Sequence, residues 1–427
     1  MVPARSLKTM WKSGQTLLLL AVSASVGAPV LPQVPWLPAM YQPAPWQLAI
    51  LPQSNQQGCQ QIRRRIINDG CWLRYIDAVG GLGMMRIFSR NKGQAASRVD
   101  RRSDLRRERP PRNRSNPGAP LVLYIAGSGR SGSTLLERLL GQIDSVATLG
   151  EVHHLWARGI AKDESCGCGK PFGECEFWRR TGEMAFGGWK NVDMEDVEKL
   201  HNAVDRQRYL PLTMLPVVPP AFARQLAAYS GYYGALYKAV QELSGASVIV
   251  DSGKHPSLAL ALSHNRDIDL RIVHLVRDSR GVSFSWAKSV KRPESTNPED
   301  DLMKQYSSLV SSALWVSTNL AAEALRWRAV PRTRLLYEDL IADPVATIDR
   351  LRDVLNLPIT GQLKLVGPGT VDLKANHSVA GNPMRFRRGE TTLRPDAEWR
   401  KAMTKKDRRL VSLLTAPMRL WYGYTGR

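Results

Sequence analysis

Apolar and polar positions alternate along this chain in short blocks. Leu121 to Ala126 is an unbroken apolar run, the pattern of a strand buried on both faces. Leu135, Leu136, Leu139 and Leu140 then recur at helical spacing, which predicts a helix from about 133. Further strands are expected at 247–251, 270–276 and 332–337, and helices around 192–210, 221–243, 279–289, 300–329 and 344–355. A Gly-rich insertion occupies 160–190. Strands separated by helices in this order predict an α/β fold: a doubly wound, mostly parallel sheet covered on both faces, with a helical insertion over 152–243. That insertion and the loop at 290–300 border the ends of strands, so the choice of substrate is expected to reside there.

The pattern begins only near Ala119. Residues 1–118 read as a low-complexity basic extension and 119–427 as the folded domain. Arg5, Lys8 and Lys12 precede an apolar stretch from Thr16 through Leu31, which is shorter and more Pro-broken than the roughly 20 apolar residues of a membrane span. It fits a signal peptide or an unstructured extension, so membrane contact through residues 12–31 stays open. Eight arginines between Arg98 and Arg114, with Pro110 and Pro111 among them, read as a solvated linker, the sharper alternative being a polyanion patch.

Composition sharpens this division. With 427 residues and 5 cysteines the chain is neither a disulfide-dense mini-scaffold nor a multi-span membrane protein. Its 60 Lys+Arg against 38 Asp+Glu give +22, yet 18 against 5 of these lie in residues 1–118, a net +13 that leaves +9 for the rest. Without interleaved aromatics or a recognisable binding fold, the excess does not mark a specific nucleic-acid partner.

The first strand runs into Gly127-Ser-Gly-Arg-Ser-Gly-Ser-Thr134 and then into the first helix. Strand, Gly-rich turn and helix amino terminus aim free backbone N–H groups and the helix dipole at one place, an anion site. Gly127, Gly132 and Thr134 fit the nucleotide-hydrolysing loop G-x-x-x-x-G-K-[ST], but Ser133 stands where its lysine reaches the β and γ phosphates. This argues against ATP or GTP as phosphoryl donor. The cation of the loop is instead Arg130. A second strand, Leu270 to Val276, ends in Arg277, with Ser285 eight residues on in the next helix, and the two can converge on one phosphate at the mouth of a parallel sheet.

Together these segments resemble the sulfotransferases that use 3′-phosphoadenosine 5′-phosphosulfate (PAPS). Gly129-Arg-Ser-Gly-Ser-Thr134 is similar to the family's 5′-phosphosulfate loop, and Arg277 with Ser285 to its 3′-phosphate motif. Asp251-Ser-Gly-Lys-His-Pro256, Leu336-Tyr-Glu-Asp-Leu-Ile-Ala-Asp-Pro344 and His377 through Phe386 resemble further family segments in the family's order. The resemblance covers about Leu121 to Trp399, in a style nearest the tyrosyl- and carbohydrate-sulfating branches. It implies sulfuryl transfer to a hydroxyl of a carbohydrate, lipid-linked or phenolic acceptor, with 3′,5′-adenosine bisphosphate as product.

By this resemblance Gly129, Arg130, Ser131, Gly132, Ser133 and Thr134 hold the 5′-phosphosulfate, and Arg277 and Ser285 the 3′-phosphate, with Arg387 and Arg388 as further candidates. Tyr337 contacts the nucleotide, and Ser378 lies near the transferred group. Arg130 also stabilises departing charge, since a guanidinium stays cationic and binds oxygens in pairs. Glu151, in a Gly-Glu pair, is the expected base if burial raises its pKa, with His153 or His154 as replacements. Lys254 is placed to bridge charge on the sulfuryl group, oriented by Asp251 or Ser252. The chemistry requires no metal. Cytosolic supply of PAPS and few cysteines point to the cytoplasm. The rivals are a P-loop kinase or NTPase, and a nucleotide- or polyanion-binding module without catalysis.

Cys166, Cys168 and Cys175 sit in the Gly-rich insertion, and Cys59 and Cys71 upstream. C-x-C-x6-C offers three zinc ligands and no local fourth, for which His153 or His154 is the candidate. A disulfide between two of the three and a reduced structural loop are the alternatives.

Overall fold

The computed structural model describes residues 115–291 and 302–424; the apolar stretch at 12–31, Cys59, Cys71 and the arginines of 98–114 lie outside them. In chain order, β1 (Leu121–Gly127) leads into α1 (Ser133–Leu140) and then β2 (Val146–Thr148). The insertion follows, with α2 (Glu176–Phe186), α3 (Met194–Val204) and the long α4 (Pro220–Ser244). The chain then returns to the sheet through β3 (Val248–Lys254), α5 (Pro256–Leu262), β4 (Asp269–Val276) and α6 (Ser279–Ala287). Next come α7 (Ser308–Ala324), β5 (Arg332–Leu336), α8 (Tyr337–Ala342) and α9 (Pro344–Leu355). A small antiparallel pair, β6 (Thr370–Leu373) and β7 (Gly389–Thr392), precedes α10 (Lys405–Leu414) and α11 (Ala416–Trp421).

Among the described residues the main sheet has the order β2-β3-β1-β4-β5, and every pairing in it is parallel. The fold is therefore the α/β sheet that the alternating pattern predicts. Both β1 and β4 are buried along their whole length, and the two faces of β1 feed different cores. Val122, Tyr124 and Ala126 pack with the insertion, including Tyr229, Tyr233 and Tyr237 of α4. Leu121, Leu123 and Ile125 pack with α1 and α9. A strand sandwiched in this way has to be apolar at every position, which is why alternation is missing from its sequence.

Several boundaries differ from the pattern. The helix expected at 192–210 ends at Val204, because the carboxylate of Asp205 is drawn inward to accept from the Tyr229 hydroxyl at 2.9 Å. The helix expected from about 300 starts at Ser308, where the Ser307 hydroxyl accepts from the Val310 N–H. β2 is too short for its periodicity to register, and Leu155–Ile160 forms a π-helical turn, which no apolar spacing announces. Among the described residues no helix is long and apolar enough to cross a membrane.

From β1 the connection runs towards the β2 side of the sheet, and from β4 towards β5. The crevice at the carboxyl ends of β1 and β4 is thus the switch point at which doubly wound sheets bind ligands.

Candidate active site

Two loops fill that crevice. The loop after β1 bends through left-handed residues, with φ of 67° at Arg130 and 95° at Gly132. A Cβ on Gly132 would stand 2.5 Å from the ring of Tyr337, so only glycine lets the loop pass this close. The loop after β4 carries Arg277, whose Nη1 donates to the Arg130 carbonyl at 2.9 Å and whose guanidinium lies 4.6 Å over the Tyr337 ring. Arg277 thereby fastens the two loops to each other. Its Nη2 donates to Asp396 at 2.5 Å, a partner 119 residues away that no sequence motif announces.

Arg130 lies 4.9 Å over the Trp286 ring, next to Ser285 on α6. Its Nε and Nη2 are buried and have no hydrogen-bond partner, and the Ser131 hydroxyl is in the same condition. Burial of unpaired donors is costly, about 1–3 kcal/mol each, and this loop presents three of them, a set that could be satisfied by an acceptor-rich group. Burial lowers the pKa of Arg130, Glu151 raises it and Arg277 lowers it.

The catalytic candidates of the next two strands meet directly. Glu151 follows β2, and Lys254 closes β3 in a left-handed conformation, φ 66°. Lys254 Nζ donates to Glu151 Oε1 in an ion pair, both side chains being mostly buried. A non-glycine residue at this φ is strained by about 1 kcal/mol or more, and Lys254 in this conformation meets the carboxylate. Burial alone would raise Glu151, but Lys254 and then His154 outweigh it and hold the carboxyl at about 2. The expectation that burial raises this pKa is therefore corrected: the ion pair dominates. His154 Nε2 stands 3.7 Å from Glu151 Oε2, and the His153 ring lies between those of His154 and His255. Burial, then the neighbouring imidazoles and Lys254, holds His153 well below the ordinary histidine range.

Glu137 of α1 is a central residue that the sequence reading missed. Its Oε1 accepts from the Gly150 N–H at 2.8 Å and the Ser378 hydroxyl at 2.6 Å, and its Oε2 accepts from the Ser252 hydroxyl at 2.6 Å. One buried carboxylate thus ties together the Gly150-Glu151 pair, the end of β3 and the segment around Ser378. The signal was an acidic residue among the leucines of a helix that turns entirely inward. Ser378 is fully enclosed, with its hydroxyl on Glu137. Neither Asp251 nor Ser252 orients Lys254 by side-chain contact. Asp251 holds the turn instead, accepting from the Gly253 N–H at 2.8 Å and the Tyr237 hydroxyl at 2.5 Å.

Gly381 completes the floor: a Cβ there would lie 3.3 Å from Glu151 Oε1 and 3.5 Å from Thr134 Oγ1. Arg388 departs from its expected place, because its Nη2 donates to the Cys168 carbonyl at 2.6 Å, against the cysteine loop. The fourth group beside Cys166, Cys168 and Cys175 is likewise corrected. It is His377, while His153 and His154 cluster with Glu151.

The described residues thus form a parallel α/β sheet with a Gly-rich loop at its switch point, facing a carboxylate and two cations. The chain belongs to the sulfotransferase family, whose model it matches over residues 120–361. No curated protein matches it. Among solved structures, the sulfotransferase domain of the Synechococcus PCC 7002 olefin synthase is 19% identical, with TM-score 0.37, over 70% of this chain and 95% of that one. The sulfotransferase domain from the curacin biosynthetic pathway is 17% identical, with TM-score 0.37, over 69% and 98%. Sulfotransferase STF9 from Mycobacterium avium is 16% identical, with TM-score 0.34, over 57% and 65%.

Proposed function

We propose that this chain transfers a sulfuryl group from PAPS to a hydroxyl of a carbohydrate, lipid-linked or phenolic acceptor and releases 3′,5′-adenosine bisphosphate. The observation that carries the reading is the orphaned guanidinium of Arg130, two of whose buried nitrogens lack an acceptor inside a phosphate-type loop. Gly129, Ser131, Gly132, Ser133 and Thr134 add the remaining donors for the 5′-phosphosulfate. Arg277, Ser285 and Tyr337 take the 3′-phosphate and nucleotide, with Asp396 giving up Arg277 to it. Ser378 acts indirectly, by holding Glu137. PAPS, when bound, supplies the activated sulfuryl group.

Lys254 faces two kinds of anion in this arrangement, Glu151 and the oxygens of a bound donor. When Nζ turns to the donor, Glu151 loses its main counter-charge, and burial then drives its pKa up from about 2. The carboxylate becomes strong enough to take the acceptor's hydroxyl proton on an Oε while Arg130 and Lys254 stabilise the charge on the departing phosphate. Cytosolic supply of PAPS supports a cytoplasmic reaction.

Nucleotide discrimination and one turnover assay test the reading. Purified chain is expected to bind 3′,5′-adenosine bisphosphate in preference to ATP and to move labelled sulfate from PAPS to at least one acceptor in a broad hydroxyl panel. Glu151→Gln is expected to keep nucleotide affinity while turnover falls by about 10²-fold or more. Magnesium-dependent ATP binding without bisphosphate binding would instead identify a kinase-like enzyme. Bisphosphate binding with no transfer to any acceptor would identify a non-catalytic module.

A further inference from the structure

Three cysteines of the insertion and one histidine from 200 residues later converge beside the floor of the cleft. Cys168 Sγ and Cys175 Sγ are 3.7 Å apart, and His377 Nδ1 lies 3.4 Å from Cys175 Sγ and 3.8 Å from Cys166 Sγ. All four donor atoms lie within 4.8 Å of one another. A tetrahedral zinc with Zn–S of about 2.3 Å and Zn–N of about 2.0 Å requires sulfurs about 3.8 Å apart and sulfur–nitrogen pairs about 3.5 Å apart. The sulfur–sulfur separation of 3.7 Å and the sulfur–nitrogen separations of 3.4 and 3.8 Å lie near these values. A disulfide requires sulfurs at about 2.05 Å, and all three cysteines are free.

The surroundings fit a metal as well. The His377 ring is stacked on Phe177 at 4.7 Å, which sets the plane whose Nδ1 edge meets the sulfurs, and the His377 carbonyl accepts from the Trp178 indole at 2.8 Å, which holds its backbone. Three thiolates and a neutral imidazole around a dication leave one negative charge, and the Arg388 guanidinium lies beside this loop on the Cys168 carbonyl.

We propose that Cys166, Cys168, Cys175 and His377 Nδ1 form a structural zinc site that staples the insertion to the segment carrying Ser378 and Gly381. Four protein ligands close the coordination sphere, so the metal is structural and takes no part in transfer. Soft thiolates in a tetrahedral set select zinc over magnesium or calcium. The stapled segments already approach closely: the Gly167 N–H donates to the Ser378 carbonyl at 2.9 Å, and a Cβ on Gly167 would stand 2.1 Å from the Asn376 side chain. Zinc thereby fixes the segment whose Ser378 hydroxyl bonds Glu137 and whose Ala380 carbonyl accepts from the Glu151 N–H. The site stands whether or not the transfer reaction proposed above is correct.

Elemental analysis of the full chain, purified without chelator or added metal, tests this directly. The expected result is about one zinc per chain, and X-ray absorption at the zinc edge is expected to give three sulfurs at about 2.3 Å and one nitrogen at about 2.0 Å. A mercurial thiol reagent is expected to release that zinc from the wild type, a measurement that depends on no variant. Cys168→Ser, which replaces the most exposed of the three cysteines, is expected to lose most of its zinc on dialysis against a chelator, whereas Cys59→Ser with Cys71→Ser retains it. Reduced wild type that holds no zinc even after reconstitution overturns the proposal. So does an absorption spectrum without sulfur ligands, or a disulfide between two of Cys166, Cys168 and Cys175 in freshly purified chain.

Discussion

Buried acidic residues around the cleft do different work, and Asp251 separates two of its own roles. Burial pushes its carboxyl up to about 7, against the bonds from Tyr237, Gly253 and Val152 that favour the charge. A folded pKa above the ordinary 3.8 means that the folded state holds its proton longer. The contribution of Asp251 to stability is therefore full below 3.8 and is lost as pH rises towards 7. Asn in its place keeps an acceptor for the Gly253 N–H and can donate to the Tyr237 oxygen, so Asp251→Asn is expected to flatten this pH dependence at little cost near neutrality. Asp251→Ala strands the Tyr237 hydroxyl and two backbone N–H groups, and is expected to cost about 2–4 kcal/mol. Denaturant unfolding of both variants between pH 4 and 8 measures the difference; equal losses at all pH values would show that Asp251 serves through shape alone.

Loop geometry is the next level, and Gly132 tests it. Gly132→Ala meets both a left-handed φ and the Tyr337 ring, a conflict of about 1–3 kcal/mol. It is expected to weaken bisphosphate binding at least tenfold by calorimetry. Gly245→Ala, at the end of α4 with φ 65° and open space around it, is expected to lower the melting temperature slightly and leave nucleotide affinity unchanged. The same element explains what the sequence could disclose. The strand–loop–helix unit of β1 and α1 was legible because its parts are consecutive and each has a local chemical signature. Lys254 and Arg277 were legible as cations at strand ends. Glu137, Trp286 and Asp396 were not, because each acquires its role from a partner more than a hundred residues away or from the inward turn of α1. His377 escaped for the same reason: metal-ligand spacing is recognisable when ligands are close in sequence, and this histidine lies 202 residues beyond Cys175.

For the whole molecule, the basic extension can be set apart from the cleft. The +13 of residues 1–118 lies entirely before Ser115, so a chain that begins at Ser115 sheds that charge and keeps every contact described above. It is expected to retain the sulfate transfer and nucleotide affinity of the full chain while binding a cation exchanger less tightly. Loss of transfer on this truncation would give the extension a role in acceptor capture. The position of β1 has a different consequence, for the birth of the protein. Val122 is paired with Ile249 on one side and Leu270 on the other, so the strand that carries the anion loop waits for well over a hundred further residues before either edge is satisfied. During synthesis it is an apolar ribbon with two open edges, the kind of segment that associates with other nascent chains. Soluble recombinant yield is accordingly expected to rise when this strand is shielded during synthesis, by low temperature or a co-expressed holding chaperone.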